Sequence, residues 1–277
     1  MPNPILPLWE YIPDGEPRVF GDRVYLYGSH DRVGFHKFCD YKLKVWSAPV
    51  NDLNNWQCHG TSFQTQDTRN HAANTDYTSR ELYAPDCVEK DGKYYLYTYI
   101  VGSKGCISVS DKPEGPFTFL STYQYAPEDA GDEGIYNDIG VLVDDDGKAY
   151  MYVGGLWGGQ LEKWQTGEFT ENFVEPAEDG PALGPLVAEM TDDLLGFKAP
   201  LQEIKILDEN GNPLLAGDHD RRFFEASWMH KYKDTYYFSY STGDTHYLCY
   251  AVGDNPYGPF TYKGVIMTPV VGWTTHH

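Results

Sequence analysis

The sequence is poor in basic residues. It has 21 lysines and arginines against 41 aspartates and glutamates, which gives a formal net charge of −20 over 277 residues. A surface of this charge repels phosphate backbones and anionic lipid headgroups, so nucleic acids and membranes are not expected as partners. The charge does not argue against neutral ligands, and we attribute most of it to solvation of the surface.

Cysteine is scarce, and long apolar runs are missing. The five cysteines have no short paired spacing, which favours reduced, packed thiols over a disulfide framework or a zinc site. No segment is apolar enough to span a bilayer, and the start, MPNPILPLWEYIPDGEP, lacks a basic region followed by an apolar one. We therefore expect a cytoplasmic protein, although a secreted protein whose leader had been removed would have the same sequence.

Aromatic residues, glycine and proline are abundant instead. The chain contains 23 tyrosines, 13 phenylalanines, 7 tryptophans, 28 glycines and 18 prolines. Aromatic residues favour strands, and glycine and proline favour turns, so we predict an all-β fold. One large domain is compatible with this length, because all-β domains often reach ~200–250 residues.

One pattern recurs four times along the chain. Each copy has a polar turn before alternating aromatic and aliphatic residues: FGDRVYLYGS (20–29), KDGKYYLYTY (90–99), DDGKAYMYVG (145–154) and KDTYYFSYST (233–242). A second element follows each copy: LKVWSAPVNDLNNW, ISVSDKPEGPF, LEKWQTGEF and LCYAVGDNPYGPF. Four-stranded units repeated around an axis are the blades of a β-propeller, so the sequence predicts four such blades. Insertions are expected at 59–82 and 176–222, the latter with a candidate short helix at VAEMTDDLLGF.

Three blades carry an acid at nearly the same distance before a tyrosine of the repeat: Asp14 before Tyr25 by 11 residues, Asp138 before Tyr150 by 12, and Glu225 before Tyr237 by 12. Acids at one end of equivalent strands would converge on one pocket, where like charges push their pKa values apart. A protonated acid near an ionised one is what acid/base hydrolysis of a glycosidic bond requires. The alternative is that these acids cap hairpins.

Further binding residues are expected around these acids. In the second blade the same register falls on Tyr83, with Asp86 three residues further on. Aromatic side chains suit the faces of sugar rings, and we predict that Tyr83, Asp86 and Trp157 contact the substrate. Two roles stay open for Asp86: binding sugar hydroxyls, or tying the second blade to its neighbour. The acids of VDDDGK (143–148) are predicted to form a turn rather than a metal loop.

The sequence resembles glycoside hydrolase family 43 over nearly its whole length. The matching stretches are NPILPLWEYIPDGEPRVFGDRVYLYGSHD, YAPDCVEKDGKYYLYTY, NDIGVLVDDDGKAYMYVGG and FFEASWMHKYKDTYYFSYS. The resemblance implies a five-bladed β-propeller and an inverting glycosidase. It further implies that Asp14 is the general base, that Asp138 tunes pKa and orients substrate, and that Glu225 is the general acid. The carboxyl groups of the base Asp14 and the acid Glu225 would then lie roughly 6.5–9.5 Å apart.

The resemblance leaves the fifth blade unaccounted for. The chain ends at PVVGWTTHH, where the family continues into that blade. We predict one propeller domain over 1–277, truncated in the fifth blade. The alternatives are a partner chain or self-association that completes the propeller, and closure of the propeller with four blades. The resemblance implies no cofactor for the chemistry. It further implies a histidine in the central channel that binds a structural calcium or water, and His276 is the residue that matches it.

The resemblance also implies a substrate class. It predicts release of α-L-arabinofuranose or β-D-xylose from the oligosaccharides of plant hemicellulose. An endo-acting arabinanase and a non-catalytic carbohydrate-binding propeller are the alternatives. A fructan hydrolase is disfavoured, because the chain contains neither NDPNG nor RDP.

Overall fold

The chain is almost entirely β-structure. The computed structural model describes residues 4–65, 74–101, 105–123, 137–156, 160–166 and 170–269. These residues form two compact units, Met1–Tyr123 and Gln124–His277. The described part includes one short 3-10 helix, Glu162–Trp164, and no helix long and apolar enough to cross a membrane.

The first unit contains two antiparallel four-stranded sheets, one for each of the first two repeats. The first sheet consists, in order, of β1 (Glu16–Phe20), β2 (Arg23–Gly28), β3 (Lys42–Pro49) and β4 (Gln57–Gln64). The second consists of β5 (Tyr83–Lys90), β6 (Lys93–Tyr99), β7 (Cys106–Ser110) and β8 (Thr118–Ser121). Each sheet is therefore a meander in which chain neighbours pair.

The second unit contains the sheets of the third and fourth repeats. The third sheet consists of β9 (Gly140–Val143), β10 (Ala149–Val153), β11 (Leu186–Glu189) and β12 (Gln202–Glu203). The fourth consists of β14 (Glu225–Tyr232), β15 (Thr235–Ser241), β16 (Leu248–Gly253) and β17 (Phe260–Met267). The short strand β13 (Ile206–Leu207) pairs in parallel with β17 and makes this sheet five-stranded.

Each unit has its own aromatic core, formed by the alternating residues of the repeats. In the first unit Tyr27 and Phe63 are 1% and 0% exposed and pack with Leu96 of the neighbouring sheet. In the second unit Tyr152 and Phe238 are fully buried in one cluster. Burial of aromatic side chains is the largest apolar contribution to such cores, which explains the high tyrosine and phenylalanine content.

The two nearly identical segments SDKPEGPF and GDNPYGPF perform the same task in the two units. The Tyr27 hydroxyl donates to the carbonyl oxygen of Pro113 at 2.6 Å, and the Tyr152 hydroxyl donates to that of Pro256 at 3.0 Å. In each case a tyrosine of one sheet binds a turn of the next sheet in the same unit. The repeated motif therefore ties the two sheets of each unit together.

The third blade differs from the sequence prediction. LEKWQTGEF was expected to supply its next strand, but Glu162–Trp164 is a 3-10 helix. The strand is β11, which lies inside the predicted insertion and uses part of the segment predicted as a helix. After β11 the chain turns at Thr191, whose hydroxyl donates to Asp193 at 2.6 Å. This local bond competes with helix formation, and pairing with β10 determines the structure instead.

Candidate active site

Asp14 lies in the turn before β1, with a half-buried side chain and a left-handed φ of 58°. The turn packs closely on the end of β2 at Gly28. A Cβ atom on Gly28 would lie 2.4 Å from Ile12 Cγ2 and 2.8 Å from the Pro13 carbonyl oxygen. Only glycine permits this approach, so Gly28 fixes where the turn holds Asp14.

Ser29 connects Asp14 to the second sheet. Its hydroxyl donates to Asp14 Oδ2 at 2.7 Å and accepts a hydrogen bond from the backbone amide of Ala84, also at 2.7 Å. Ser29 is fully buried, and Ala84 is the second residue of β5. The carboxylate of Asp14 is therefore bound by Ser29, which the second sheet in turn holds through Ala84.

Tyr83 is the first residue of β5 and is half-buried. Its ring meets that of Tyr99 edge to face, with 6.1 Å between the centroids. Burial raises the pKa of the Tyr83 hydroxyl to about 12, so it stays protonated at neutral pH and keeps a proton to donate. This chemistry is compatible with the predicted contact between Tyr83 and a sugar, which stays a prediction.

Asp86 is fully buried and forms an ion pair with Arg18 of β1. Arg18 Nε donates to Asp86 Oδ1 at 2.8 Å, and Arg18 Nη2 donates to Oδ2. The Asp86 Oδ1 atom also accepts from the Cys87 amide at 2.7 Å. These contacts favour the tie between neighbouring blades over direct binding of sugar hydroxyls, which requires an accessible carboxylate.

Asp138 occupies the equivalent turn in the second unit, two residues before β9. It has a φ of 47° and is half-buried. Asp138 Oδ2 accepts from Asn137 Nδ2 at 3.1 Å and from the backbone amide of Ala226 at 3.2 Å. That amide belongs to the peptide bond between Glu225 and Ala226. The structure therefore brings Asp138 to the residue that was predicted to be the acid.

Glu225 is the first residue of β14, is half-buried, and pairs with Ser241 across the ladder. Its approach to the third sheet depends on Gly140. A Cβ atom on Gly140 would lie 2.2 Å from the carbonyl oxygen of Ser227. The absence of a side chain therefore allows β9 to lie directly against the start of β14.

The strands β5 and β14 share an irregularity. In β5 the ladder shifts by one residue between Tyr83 and Asp86, and in β14 it shifts between Glu225 and Trp228. One extra residue in each strand is a β-bulge, which re-aims the side chains beside it. By this match, Tyr83 is the counterpart of Glu225.

Strand pairing shows that the three acids do not all occupy equivalent positions in their sheets. Asp14 lies four residues before Arg18, which pairs with Tyr25 of the first repeat. Asp138 likewise lies four residues before Leu142, which pairs with Tyr150 of the third repeat. In the fourth sheet that register falls on Ala226, because His230 pairs with Tyr237. The equal spacing of 12 in the sequence thus has two causes, a longer turn after β9 and the bulge in β14.

A left-handed residue marks this register in every sheet: Asp14 (φ 58°), Ala84 (φ 35°), Asp138 (φ 47°) and Ala226 (φ 68°). Left-handed backbone costs energy for residues other than glycine, and strain of this kind clusters at functional sites. In the first and third sheets the left-handed residue is the predicted catalytic aspartate itself. In the fourth it immediately follows Glu225.

The acids of VDDDGK form the turn that was predicted. The Asp144 amide donates to the Lys148 carbonyl at 2.8 Å, and the Gly147 amide donates to the Asp144 carbonyl at 2.9 Å. Asp144 also binds outside the turn, because Lys231 Nζ donates to its Oδ1 at 2.6 Å and the Tyr236 hydroxyl donates to its Oδ2. The turn is therefore also a tie to the fourth sheet.

Two predicted site residues, Trp157 and His276, lie outside the described residues. Within the described ranges, no group of three or more histidine, cysteine, aspartate or glutamate side chains is arranged to hold a metal ion. The proposed calcium and its ligand therefore stay predictions.

The structure brings Asp138 and Glu225 together in the second unit and places Asp14 with Ser29 in the first. Sequence reasoning missed three polar partners: Ser29, Asn137 and Arg18. Ser29 and Arg18 contact residues 15 and 68 positions away, so no local pattern marks them. Asn137 directly precedes Asp138, and its position beside a candidate catalytic acid was a usable signal.

Comparison with known proteins relates the chain to a set of sugar-cleaving enzymes. The family model of Glycosyl hydrolases family 43 matches residues 1–269. Xylosidase/arabinosidase 43A of Humicola insolens is 47% identical over 290 residues, covering 96% of this chain and 83% of that protein. The xylosidase/arabinosidase of Bacteroides ovatus is 44% identical over 280 residues, covering 97% and 82% of the two chains.

Solved structures show the same relation. A GH43 β-xylosidase/α-arabinofuranosidase from a compost microbial metagenome, crystallised with xylotriose in a calcium-free form, matches with a TM-score of 0.83 at 43% identity, covering 99% of this chain and 83% of that one. The GH43_1 enzyme of Xanthomonas citri in complex with xylose matches with a TM-score of 0.82 at 38% identity, covering 99% and 79%. The prediction of an all-β fold of the β-propeller type with four blades is confirmed. The chain belongs to glycosyl hydrolases family 43.

Proposed function

We propose that this glycoside hydrolase releases terminal β-D-xylose or α-L-arabinofuranose from plant cell-wall oligosaccharides with inversion at the anomeric carbon. The observation that carries the proposal is the hydrogen bond from the Ala226 amide to Asp138, which sets two acids beside each other at the start of β14. The named activities of the relatives, xylosidase and arabinosidase, support the sugar class. Neighbouring structures in complex with xylose and xylotriose support an oligosaccharide substrate.

The proposed chemistry is a single displacement. Asp14, as a carboxylate, takes a proton from a water molecule while the water oxygen forms a bond to the anomeric carbon. The bond from that carbon to the leaving oxygen breaks, and Glu225 gives its proton to the leaving oxygen. The sugar is released with the opposite anomeric configuration, and the two carboxyl groups exchange their protonation states before the next turnover.

In this proposal Asp138 acts on Glu225. A negative charge at Asp138 disfavours ionisation of a neighbouring carboxyl group, which keeps Glu225 protonated as an acid must be. The hydrogen bonds from Asn137 and Ala226 stabilise the charged form of Asp138 and hold it in place. Asp138 therefore supplies both charge and orientation.

The acid and the base are distinguished by substrates with different leaving groups. In Glu225→Ala we expect hydrolysis of xylo-oligosaccharides to fall about 10²- to 10⁴-fold. Aryl β-D-xylosides and aryl α-L-arabinofuranosides with acidic phenols should be affected much less, because their leaving groups depart without a proton. In Asp14→Asn we expect both substrate types to slow by a similar large factor, because attack by water is impaired for each.

Glu209→Ala is the matched control, because Glu209 is an exposed glutamate of the same unit with a side chain 74% exposed. It should retain the activity of the unchanged protein on both substrate types. An equal loss on all leaving groups in Glu225→Ala would remove Glu225 from the acid role, and full activity in Asp14→Asn would remove Asp14 from the base role. Release of internal fragments from long arabinan would indicate endo action, and sugar binding by a folded but inactive protein would indicate a binding module.

Two finer proposals concern ligands and assembly. A structural calcium bound through His276 should raise the melting temperature when added to chelator-treated protein, and His276→Ala should abolish that increase.

Self-association that completes the blade set is supported by three exposed apolar residues at the end of β17, Val265, Ile266 and Met267. Sedimentation equilibrium showing only monomer would exclude it.

A further inference from the structure

We propose that Ser29 is a positioning residue for Asp14, which fixes the orientation of its carboxylate and keeps it ionised; the proposal rests on the assignment of Asp14 as the base. Ser29 Oγ lies 2.7 Å from Asp14 Oδ2 and is fully buried. Its burial separates it from the substrate, so its influence on the reaction passes through Asp14.

The direction of the Ser29 hydroxyl proton follows from its neighbours. The Ala84 amide lies 2.7 Å from Ser29 Oγ and is a donor only, so the serine oxygen accepts at this contact. A serine hydroxyl has a single proton, and the ionised carboxylate of Asp14 is an acceptor. The proton is therefore directed at Asp14 Oδ2. Any other rotation of the hydroxyl would lose the hydrogen bond to Asp14.

A donor fixed in this way favours the charged carboxylate. A hydrogen bond to the ionised form of an acid stabilises that form over the neutral one. Because the amide of Ala84 already polarises the serine hydroxyl, the bond to Asp14 is strengthened by the chain of two donors. Ser29 thus keeps the base ready to accept a proton from water.

The second unit supports this interpretation by comparison. There the amide of Ala226 donates directly to Asp138 at 3.2 Å. Ala84 and Ala226 hold the same left-handed position within equivalent bulges, so the two amides are equivalent. In the first unit Ser29 is placed between this amide and the aspartate. The same backbone donor therefore serves both aspartates, directly in one unit and through Ser29 in the other.

The test uses Ser29→Ala and Ser29→Cys. Loss of a hydrogen bond to a charged group should lower kcat about 10- to 100-fold in Ser29→Ala. The acid limb of the pH profile of kcat/KM should move to higher pH, because the base then ionises less readily. Ser29→Cys keeps nearly the same volume with a weaker donor and should shift the limb in the same direction by less. Both variants should slow aryl glycosides and oligosaccharides equally, as expected for the base side of the reaction.

Ser62→Ala is the matched control, because Ser62 is 1% exposed in the same unit and donates to the Leu43 carbonyl at 3.2 Å. It should keep the acid limb unchanged. An unchanged limb in folded Ser29→Ala and Ser29→Cys, with Asp14→Asn inactive, would overturn the role of Ser29 alone. Full activity in Asp14→Asn would overturn the base assignment, and the role of Ser29 with it.

Discussion

Arg18 and Asp86 form a buried pair with two parallel hydrogen bonds. The side chains are 12% and 0% exposed, so both charges have left bulk water. Desolvation of this kind is costly, and it is balanced here by the paired geometry and by the bond from the Cys87 amide. Removal of one partner would leave the other charge buried without its ion-pair partner.

We expect Arg18→Met to lower the free energy of unfolding by about 3–5 kcal/mol, because it leaves Asp86 charged in the protein interior. Arg23→Met is the matched control: Arg23 lies on the neighbouring strand and donates to the neutral Ser47 hydroxyl at 2.9 Å. Its loss should cost about 1 kcal/mol. Urea denaturation of the two variants measures the difference, and equal losses would show that the ion pair contributes nothing special.

At the scale of elements, the turn after β9 has a second role. Asp144 is 9% exposed and accepts from Lys231 and Tyr236 of the fourth sheet. Burial opposes the charged form of Asp144, but these hydrogen bonds and the charge of Lys231 outweigh it and lower the pKa of Asp144 below its ordinary value. The turn thereby joins the third and fourth sheets, as Arg18 and Asp86 join the first and second.

The lowered pKa of Asp144 predicts a pH dependence of stability. The unfolded chain binds the proton more readily than the folded one, so the contribution is present above the ordinary carboxyl range near ~4 and is lost as pH falls through the folded value. The stability advantage of the unchanged protein over Asp144→Asn should therefore be largest near neutral pH and shrink toward pH ~3.

Urea titrations at several pH values measure this advantage. Asp146→Asn is the control in the same turn, because Asp146 is 53% exposed and its pair with Lys148 is open to water. That pair should contribute only about 0–1 kcal/mol. If the stability difference between the unchanged protein and Asp144→Asn stayed constant down to pH ~3, it would contradict the assigned interaction of ionised Asp144 with Lys231 and Tyr236.

At the scale of the whole molecule, the net charge of −20 affects how fast different oligosaccharides associate with the protein. The association of a neutral xylo-oligosaccharide is little affected by this electrostatic field. A fragment substituted with glucuronic acid carries a negative charge and is repelled during encounter, and salt screens that repulsion.

We expect kcat/KM for the acidic fragment to rise several-fold between about 10 mM and about 1 M salt, over which the screening length falls from ~30 Å to ~3 Å. The neutral oligosaccharide of the same length should show no such rise. Steady-state assays of the two substrates in parallel measure this. The same response for both, or a decline for the acidic fragment, would show that net charge does not govern encounter.

Several features of the fold were predictable because they depend on near neighbours in the chain. Alternating aromatic residues predicted β2, β6, β10 and β15, and each hairpin before them was marked by a polar turn. The third blade was predicted incorrectly beyond β10, since LEKWQTGEF was expected to contain a strand but its residues Glu162–Trp164 form a 3-10 helix. Its strand β11 is separated from β10 by 32 residues, beyond any local pattern.

The sequence by itself determined the repeated strands, the three candidate acids and the family, because each depends on residues close together in the chain or on recognisable sequence motifs. Only the tertiary structure decided what holds the acids. Ser29 meets Ala84 across 55 residues, and Asp138 meets Ala226 across 88. It also showed that Asp86 is bound to Arg18 and that Glu225 lies one residue earlier in register than Asp138. Such contacts depend on how separate sheets pack and on single-residue bulges, and neither is encoded in the local alternation of side chains.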